Sequence, residues 1–113
     1  MSDEGGSDRE PGDREPGASP SPQGAEVRVL TIVNKKGLHA RASAKFCQTV
    51  ERFDAAIKVT RGHETVGGTS IMGLMMLGAA TGTTITVEAT GNEAAAAIDA
   101  IDKLVSGGFG EED

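Results

Sequence analysis

The stretch EVRVLTIVNKKGLHARASAKFCQTVERFDAAIKVTR, residues 26–61, decides the fold. Residues 26–34 are β-branched and apolar and read as a strand. Lys35-Lys36-Gly37 then breaks the run as a turn. From His39 the apolar period becomes helical. Ser43, Phe46, Cys47, Val50 and Phe53 fall on one face, while Arg41, Lys45, Gln48 and Arg52 fall mostly elsewhere. That helix is expected to end near residues 52–54. Residues 56–61 alternate again, with Ile57 and Val59 on the inner side.

Outward from this core towards the C-terminus, Arg61-Gly62-His63-Glu64 fits a hairpin turn that returns through a short strand, 64–67. Gly67-Gly68 interrupts the chain. Residues 70–77, SIMGLMML, read as a short apolar helix with Thr69 or Ser70 as N-cap and Gly78 at its stop. Residues 83–90 alternate, with Ile85, Val87 and Ala89 on one face. Asn92 is expected to cap a last helix, whose buried stripe is Ala94, Ala97, Ile98, Ile101, Leu104 and Val105. Gly107-Gly108 ends it. The order is β-α-β-β-α-β-α. Four strands that alternate present one apolar face, and three helices are available to cover it. The expected class is α+β: a two-layer open-faced β-sandwich with a four-stranded antiparallel sheet covered on one face by three helices.

Outward in the other direction the composition changes. Residues 1–25 hold all four prolines and a tandem repeat, Asp8-Arg9-Glu10-Pro11-Gly12 followed by Asp13-Arg14-Glu15-Pro16-Gly17. So polar a segment cannot bury enough apolar surface to offset its ordering entropy, and a disordered acidic tail is expected there. The folded domain is expected over 26–110, with a short acidic tail at 111–113. The chain carries a formal charge of −6, but the first 25 residues account for −4 and the last three for −3, which leaves the domain at +1.

Several function classes are excluded by composition. The chain has one cysteine, Cys47, and two histidines, His39 and His63, so no disulfide, no metal site and no cofactor is expected. No phosphate-binding GxxxxGK[ST] or GxGxxG loop follows a strand. With no Trp or Tyr and three Phe, base stacking on single-stranded nucleic acid is unsupported, and the core must be mainly aliphatic. No apolar run approaches the roughly 18–20 residues of a membrane span, and no signal peptide opens the chain, so a cytoplasmic protein is expected.

Chemistry concentrates at Gly37-Leu38-His39-Ala40-Arg41. A histidine in the first turn of a helix sits where unpaired N–H groups and a partial positive charge disfavour imidazolium. The ring is therefore expected to be neutral and nucleophilic near pH 7. The same N–H groups cradle an anion, and the Arg41 guanidinium suits phosphate oxygens. This combination fits a phosphohistidine, although a helix-start histidine without chemical duty remains open from these residues alone. Residues 28–61 contain eight bases and two acids, which reads either as a solvated face or as a surface that steers acidic partners towards His39. The methionines of 72–76 read as core or as an adaptable contact surface. Ser70 at an N-cap reads ordinarily as a helix cap, and also as a place where a phosphate is electrostatically tolerated. Cys47 is expected to be buried, and His63 exposed in its turn.

These motifs together resemble the HPr family, the histidine-containing phosphocarriers of the bacterial phosphoenolpyruvate phosphotransferase system. The resemblance covers about residues 26–110. It rests on Gly37-Leu38-His39-Ala40-Arg41, on Phe53-Asp54-Ala55, on Ser70-Ile71-Met72-Gly73-Leu74-Met75 and on the element order. It implies that His39 takes a phosphoryl group on Nδ1 from phosphoenolpyruvate-charged enzyme I and passes it to an EIIA-type protein. Arg41 would hold the phosphate oxygens. Ser70 matches a regulatory serine modified by HPr kinase/phosphorylase. Leu38, Met72 and Lys45 are expected at the docking surface of a monomeric, non-enzymatic carrier. Ala42 stands where the family commonly has proline, and the acidic arm is not a family feature. Whether the branch served is sugar transport or nitrogen-type regulation stays open. The competing class is a ferredoxin-like small-ligand-sensing domain, in which His39 is incidental.

Overall fold

The computed structural model describes residues 25–111. The expected acidic arm (all but its last residue) and the last two residues lie outside that range. In chain order the elements are β1 (Glu26–Thr31), α1 (Ala40–Val50), β2 (Ala56–Arg61), β3 (Glu64–Gly67), α2 (Ile71–Met76), β4 (Thr84–Thr90) and α3 (Ala94–Ser106), followed by a single 3-10 turn at Gly108–Gly110. The four strands form one antiparallel sheet in the order β1-β4-β2-β3. The expected α+β open-faced sandwich is the observed one.

Alternation explains which face is covered. Ile57 and Val59 of β2, Ile85, Val87 and Ala89 of β4, and Leu30 of β1 point towards the helices and are buried. They meet Phe46, Cys47 and Val50 of α1, Leu74 of α2, and Ala97, Ile98, Ile101 and Val105 of α3 in one continuous core. The opposite face is bare, and Val27 and Val29 of the edge strand β1 are exposed on it. Although the core is largely aliphatic, two of the three phenylalanines, Phe46 and Phe109, are its largest fully buried side chains.

Four local expectations need correction. First, β1 ends at Thr31 rather than at residue 34, because its partner runs out. After Thr31↔Thr84 the ladder closes with Ile32 N–H on the Thr83 carbonyl (2.8 Å), and Gly82 N–H returns to the Ile32 carbonyl (2.7 Å). Second, α1 ends at Val50. The next N–H groups, of Arg52 and Phe53, bond three residues back to Thr49 and Val50, so the chain tightens out of the α-helix. Phe53 is therefore beyond the helix, half-buried against the core.

Third, Asn92 does not cap α3. The N-cap is Glu93, without a side-chain cap bond. The Asn92 amide instead donates to Asp54 Oδ2 (2.9 Å), and the Glu93 carboxylate accepts from Asp54 N–H (2.6 Å), stitching the β4–α3 turn to the α1–β2 loop. Fourth, the chain beyond Gly107 is not a simple stop. Phe109 takes a left-handed φ of 59° and drops its ring into the core. Ser70 is the N-cap of α2, as one of the two expected candidates.

Candidate functional site

The loop from β1 to α1 is built to present one side chain. Gly37 has φ +67°, which L side chains rarely adopt, and a Cβ there would collide with the Ala79 carbonyl oxygen. That carbonyl also accepts the Leu38 N–H (3.0 Å). Gly37 N–H donates to the Asn34 carbonyl (3.3 Å), and the Asn34 side-chain amide donates back to the Gly37 carbonyl (2.9 Å). The loop is thus closed on itself and pinned to the chain after α2. It delivers His39 in an extended conformation (φ −77°, ψ −177°) as the N-cap of α1.

The His39 ring is held on both sides. Nδ1 accepts from Arg41 N–H (3.3 Å), so the ring itself takes up one of the unpaired donors at the helix start. Nε2 is hydrogen-bonded to the Glu111 carboxylate oxygen Oε2. The other oxygen, Oε1, accepts from the Asn34 side-chain amide (3.1 Å). This amide, followed by His39 and then the charge of Lys36, holds the Glu111 carboxyl below the ordinary carboxylate range. Lys45 reaches across from α1 to donate to the Phe109 carbonyl (2.7 Å), which ties the final turn, and Glu111 after it, to the site.

An open cleft results, lined by Lys35, Lys36, His39, Ala40, Arg41, Lys45, Gly110 and Glu111. It combines a ring nitrogen, a helix N-terminus and several cations, with one carboxylate on the far side of the ring. Chemically it suits a group that is anionic and reversibly bonded to nitrogen. Among the described residues no cluster of three or more His, Cys, Asp or Glu is gathered that could hold a metal.

His39 and Arg41 are therefore brought together. Lys45 lines the same cleft, but its ammonium is engaged within the molecule. Leu38, expected at a docking surface, is only 5% exposed and belongs to the core, so it offers a partner almost no contact. Ser70 shares none of these contacts. It stands exposed at the start of α2, and its Oγ accepts from Gly73 N–H (3.0 Å). Met72 is 68% exposed, and Ile71, Met75 and Met76 flank it. Since α2 packs alongside α1, these side chains form an exposed apolar surface on the helical layer that carries His39.

The supposed basic steering set is smaller than the count of charges suggests. Arg28 lies on the helix side of β1 and pairs with Asp99 (2.9 Å) and Asp102 (3.0 Å) of α3. Arg61 donates to the Leu77 carbonyl (3.0 Å). His63 is exposed in the β2–β3 turn, and Cys47 is buried, where burial and then Glu51 push its thiol up. Glu111 and Phe109 were invisible to sequence reasoning. The former reads as part of an acidic tail, and the latter as the residue after a Gly-Gly stop.

Among the described residues no helix is long and apolar enough to cross a membrane. A family profile described as "PTS HPr component phosphorylation site" matches residues 27–107. The chain is 51% identical over 82 residues to phosphocarrier protein HPr of Neisseria meningitidis, covering 73% of this chain and 92% of that one. It is also 44% identical over 84 residues to phosphocarrier protein NPr of Shewanella violacea, covering 74% of this chain and 92% of that one. Among solved structures, HPr-C-His from Thermoanaerobacter tengcongensis superposes with a TM-score of 0.74 at 39% identity, over 78% of this chain and 99% of that one.

Proposed function

Since this chain belongs to the HPr family of phosphocarrier proteins of the phosphotransferase system, we propose that His39 is its phosphorylated residue and that Nδ1 is the attacking atom. A phosphocarrier hands a group on and does not itself turn over a small substrate. The observation that supports His39 is its seat at the N-cap of α1, with Nδ1 facing the Arg41 N–H. A phosphoryl group bonded there meets the helix N-terminus and the Arg41 guanidinium, both of which favour anionic oxygens. The ligand-sensing alternative requires none of this geometry and gives way to the family's chemistry.

The donor in this reading is enzyme I charged by phosphoenolpyruvate, and the acceptor is an EIIA-type protein. Both dock on the Met72 face of α2, where flexible apolar side chains adapt to more than one partner. Ser70 is the site of a regulatory phosphate placed by an HPr kinase/phosphorylase. It is exposed, and its helix-start position tolerates the added charge. The carrier works in the cytoplasm as a monomer. A nitrogen-type branch is a second reading for the same chemistry, favoured by the likeness to NPr of Shewanella violacea.

Incubation with phosphoenolpyruvate and enzyme I, followed by mass analysis, tests the assignment. The parent, His39→Ala and His63→Ala proteins are compared in one assay: His39→Ala is expected to abolish an acid-labile, base-stable phosphate, and His63→Ala to retain it. Labelling that survives in His39→Ala would sink the assignment.

A further inference from the structure

Whether Nδ1 of His39 can attack depends on where the ring carries its proton. In a neutral imidazole one nitrogen carries the proton and the other the lone pair, and the partner of each nitrogen decides which is which. Nδ1 faces a donor, the Arg41 N–H, and Nε2 faces an acceptor, the Glu111 carboxylate. Both contacts ask for the same tautomer, with the proton on Nε2.

The carboxylate is itself fixed. Asn34 is 2% exposed, and its Nδ2 donates to both the Gly37 carbonyl and Glu111 Oε1. A flipped amide would turn Oδ1 towards two acceptors, so the donor orientation is imposed even though Oδ1 is left without a hydrogen-bond partner. Lys45 holds the preceding turn through the Phe109 carbonyl, and Lys36 adds its charge beside Glu111.

We infer that Glu111, oriented by Asn34, is a positioning residue that keeps the neutral His39 ring protonated on Nε2 and so leaves the lone pair on Nδ1. This rests on the reading of His39 as the phosphorylated residue. In the transfer step the Nδ1 lone pair bonds to the phosphorus of the charged donor. The donor's bond to that phosphorus breaks, and its electron pair returns to the donor. No proton leaves His39. The ring becomes cationic, keeps its proton on Nε2, and has the Glu111 carboxylate against that proton. When the acceptor takes the phosphoryl group the pair returns to Nδ1 and the same tautomer is restored.

The geometry separates this role from a mere effect of charge. In Glu111→Ala the ring loses its partner and reverts to its own preference. In Glu111→Gln the amide oxygen must face the Asn34 donor, which turns the amide N–H towards Nε2. That favours the opposite tautomer, with the lone pair on Nε2 and the proton on Nδ1. Both variants remove one negative charge, yet only the second inverts the ring.

The experiment is nitrogen-15 NMR of the imidazole in the parent, Glu111→Ala and Glu111→Gln proteins, alongside the rate of phosphorylation by enzyme I and phosphoenolpyruvate. The parent should show the proton on Nε2. Glu111→Gln should shift the population towards the Nδ1–H form and slow phosphorylation by about tenfold or more, with Glu111→Ala losing only about threefold. A Glu111→Gln ring that keeps the parent tautomer, or equal rates for the two variants, would overturn the inference. If the tautomer follows residue 111 as stated but the parent is not phosphorylated at His39, the positioning of the ring stands and the assignment of His39 falls.

Discussion

The Gly37 Cα faces the Ala79 carbonyl so closely that no side chain fits between them, and the same carbonyl accepts the Leu38 N–H at 3.0 Å. The loop that presents His39 is thus seated directly on the chain after α2. Gly37→Ala should combine left-handed backbone strain with a backbone clash and cost more than about 2 kcal/mol in a denaturant titration. Gly62 has a similar φ of +62° but nothing within 4 Å, so Gly62→Ala should cost only about 1 kcal/mol. Equal costs at the two positions would show that the Ala79 contact is unimportant.

Arg41 is exposed at the first turn of α1. Arg41→Glu puts a carboxylate where the phosphoryl oxygens are expected. Transfer from enzyme I should slow by more than tenfold, or more than about 1.4 kcal/mol of barrier, with the circular dichroism spectrum unchanged. Parent-like rates would remove Arg41 from the site.

Ser70 caps α2 through its hydroxyl oxygen. Ser70→Ala should therefore cost about 1 kcal/mol, while Ser70→Asp retains an acceptor there and should preserve stability. The added negative charge sits beside the exposed Ile71 and Met72 and should raise the Michaelis constant for an acidic enzyme I surface, with His39 still modifiable at high enzyme I concentration. Raising the salt should shrink that penalty. A Ser70→Asp protein that reacts like the parent at low salt would leave Ser70 as a cap alone.

Glu111 is held below the ordinary carboxylate range, first by the Asn34 amide and then by His39. A carboxyl depressed in the folded state stabilises the fold above its unfolded pKa, and that stabilisation is lost as pH falls through the folded pKa. Unfolding titrations between about pH 5 and pH 3 should therefore show the parent losing more stability than Glu111→Gln over the same interval. Parallel pH profiles would mean the carboxylate is not held as described.

Much of the framework was legible along the chain. The strands 56–61 and 64–67 fall where their alternation puts them, because their pattern is local and the hairpin between them is set by its own turn. The His39-x-Arg41 pair and the Ser70 cap were legible for the same reason: a helix start depends on a few consecutive residues. The surface status of Leu38 was not legible, since burial of an apolar residue in a loop depends on what packs over it.

What the sequence alone determined is the period of each segment, hence the element order, the covered face of the sheet, and the placing of a histidine and an arginine at one helix start. Those follow from interactions within a few residues. What only the tertiary structure decided is everything that joins distant segments. It paired Arg28 with Asp99 and Asp102 and so withdrew it from the site, gave Asn92 to Asp54 instead of to its own helix, folded Phe109 into the core, and carried Glu111 back across 72 positions to the far nitrogen of His39. No local pattern encodes such contacts. They form because a side chain's partner is chosen by the proximity that packing creates, and buried polar groups settle on whichever donor or acceptor that packing brings within reach.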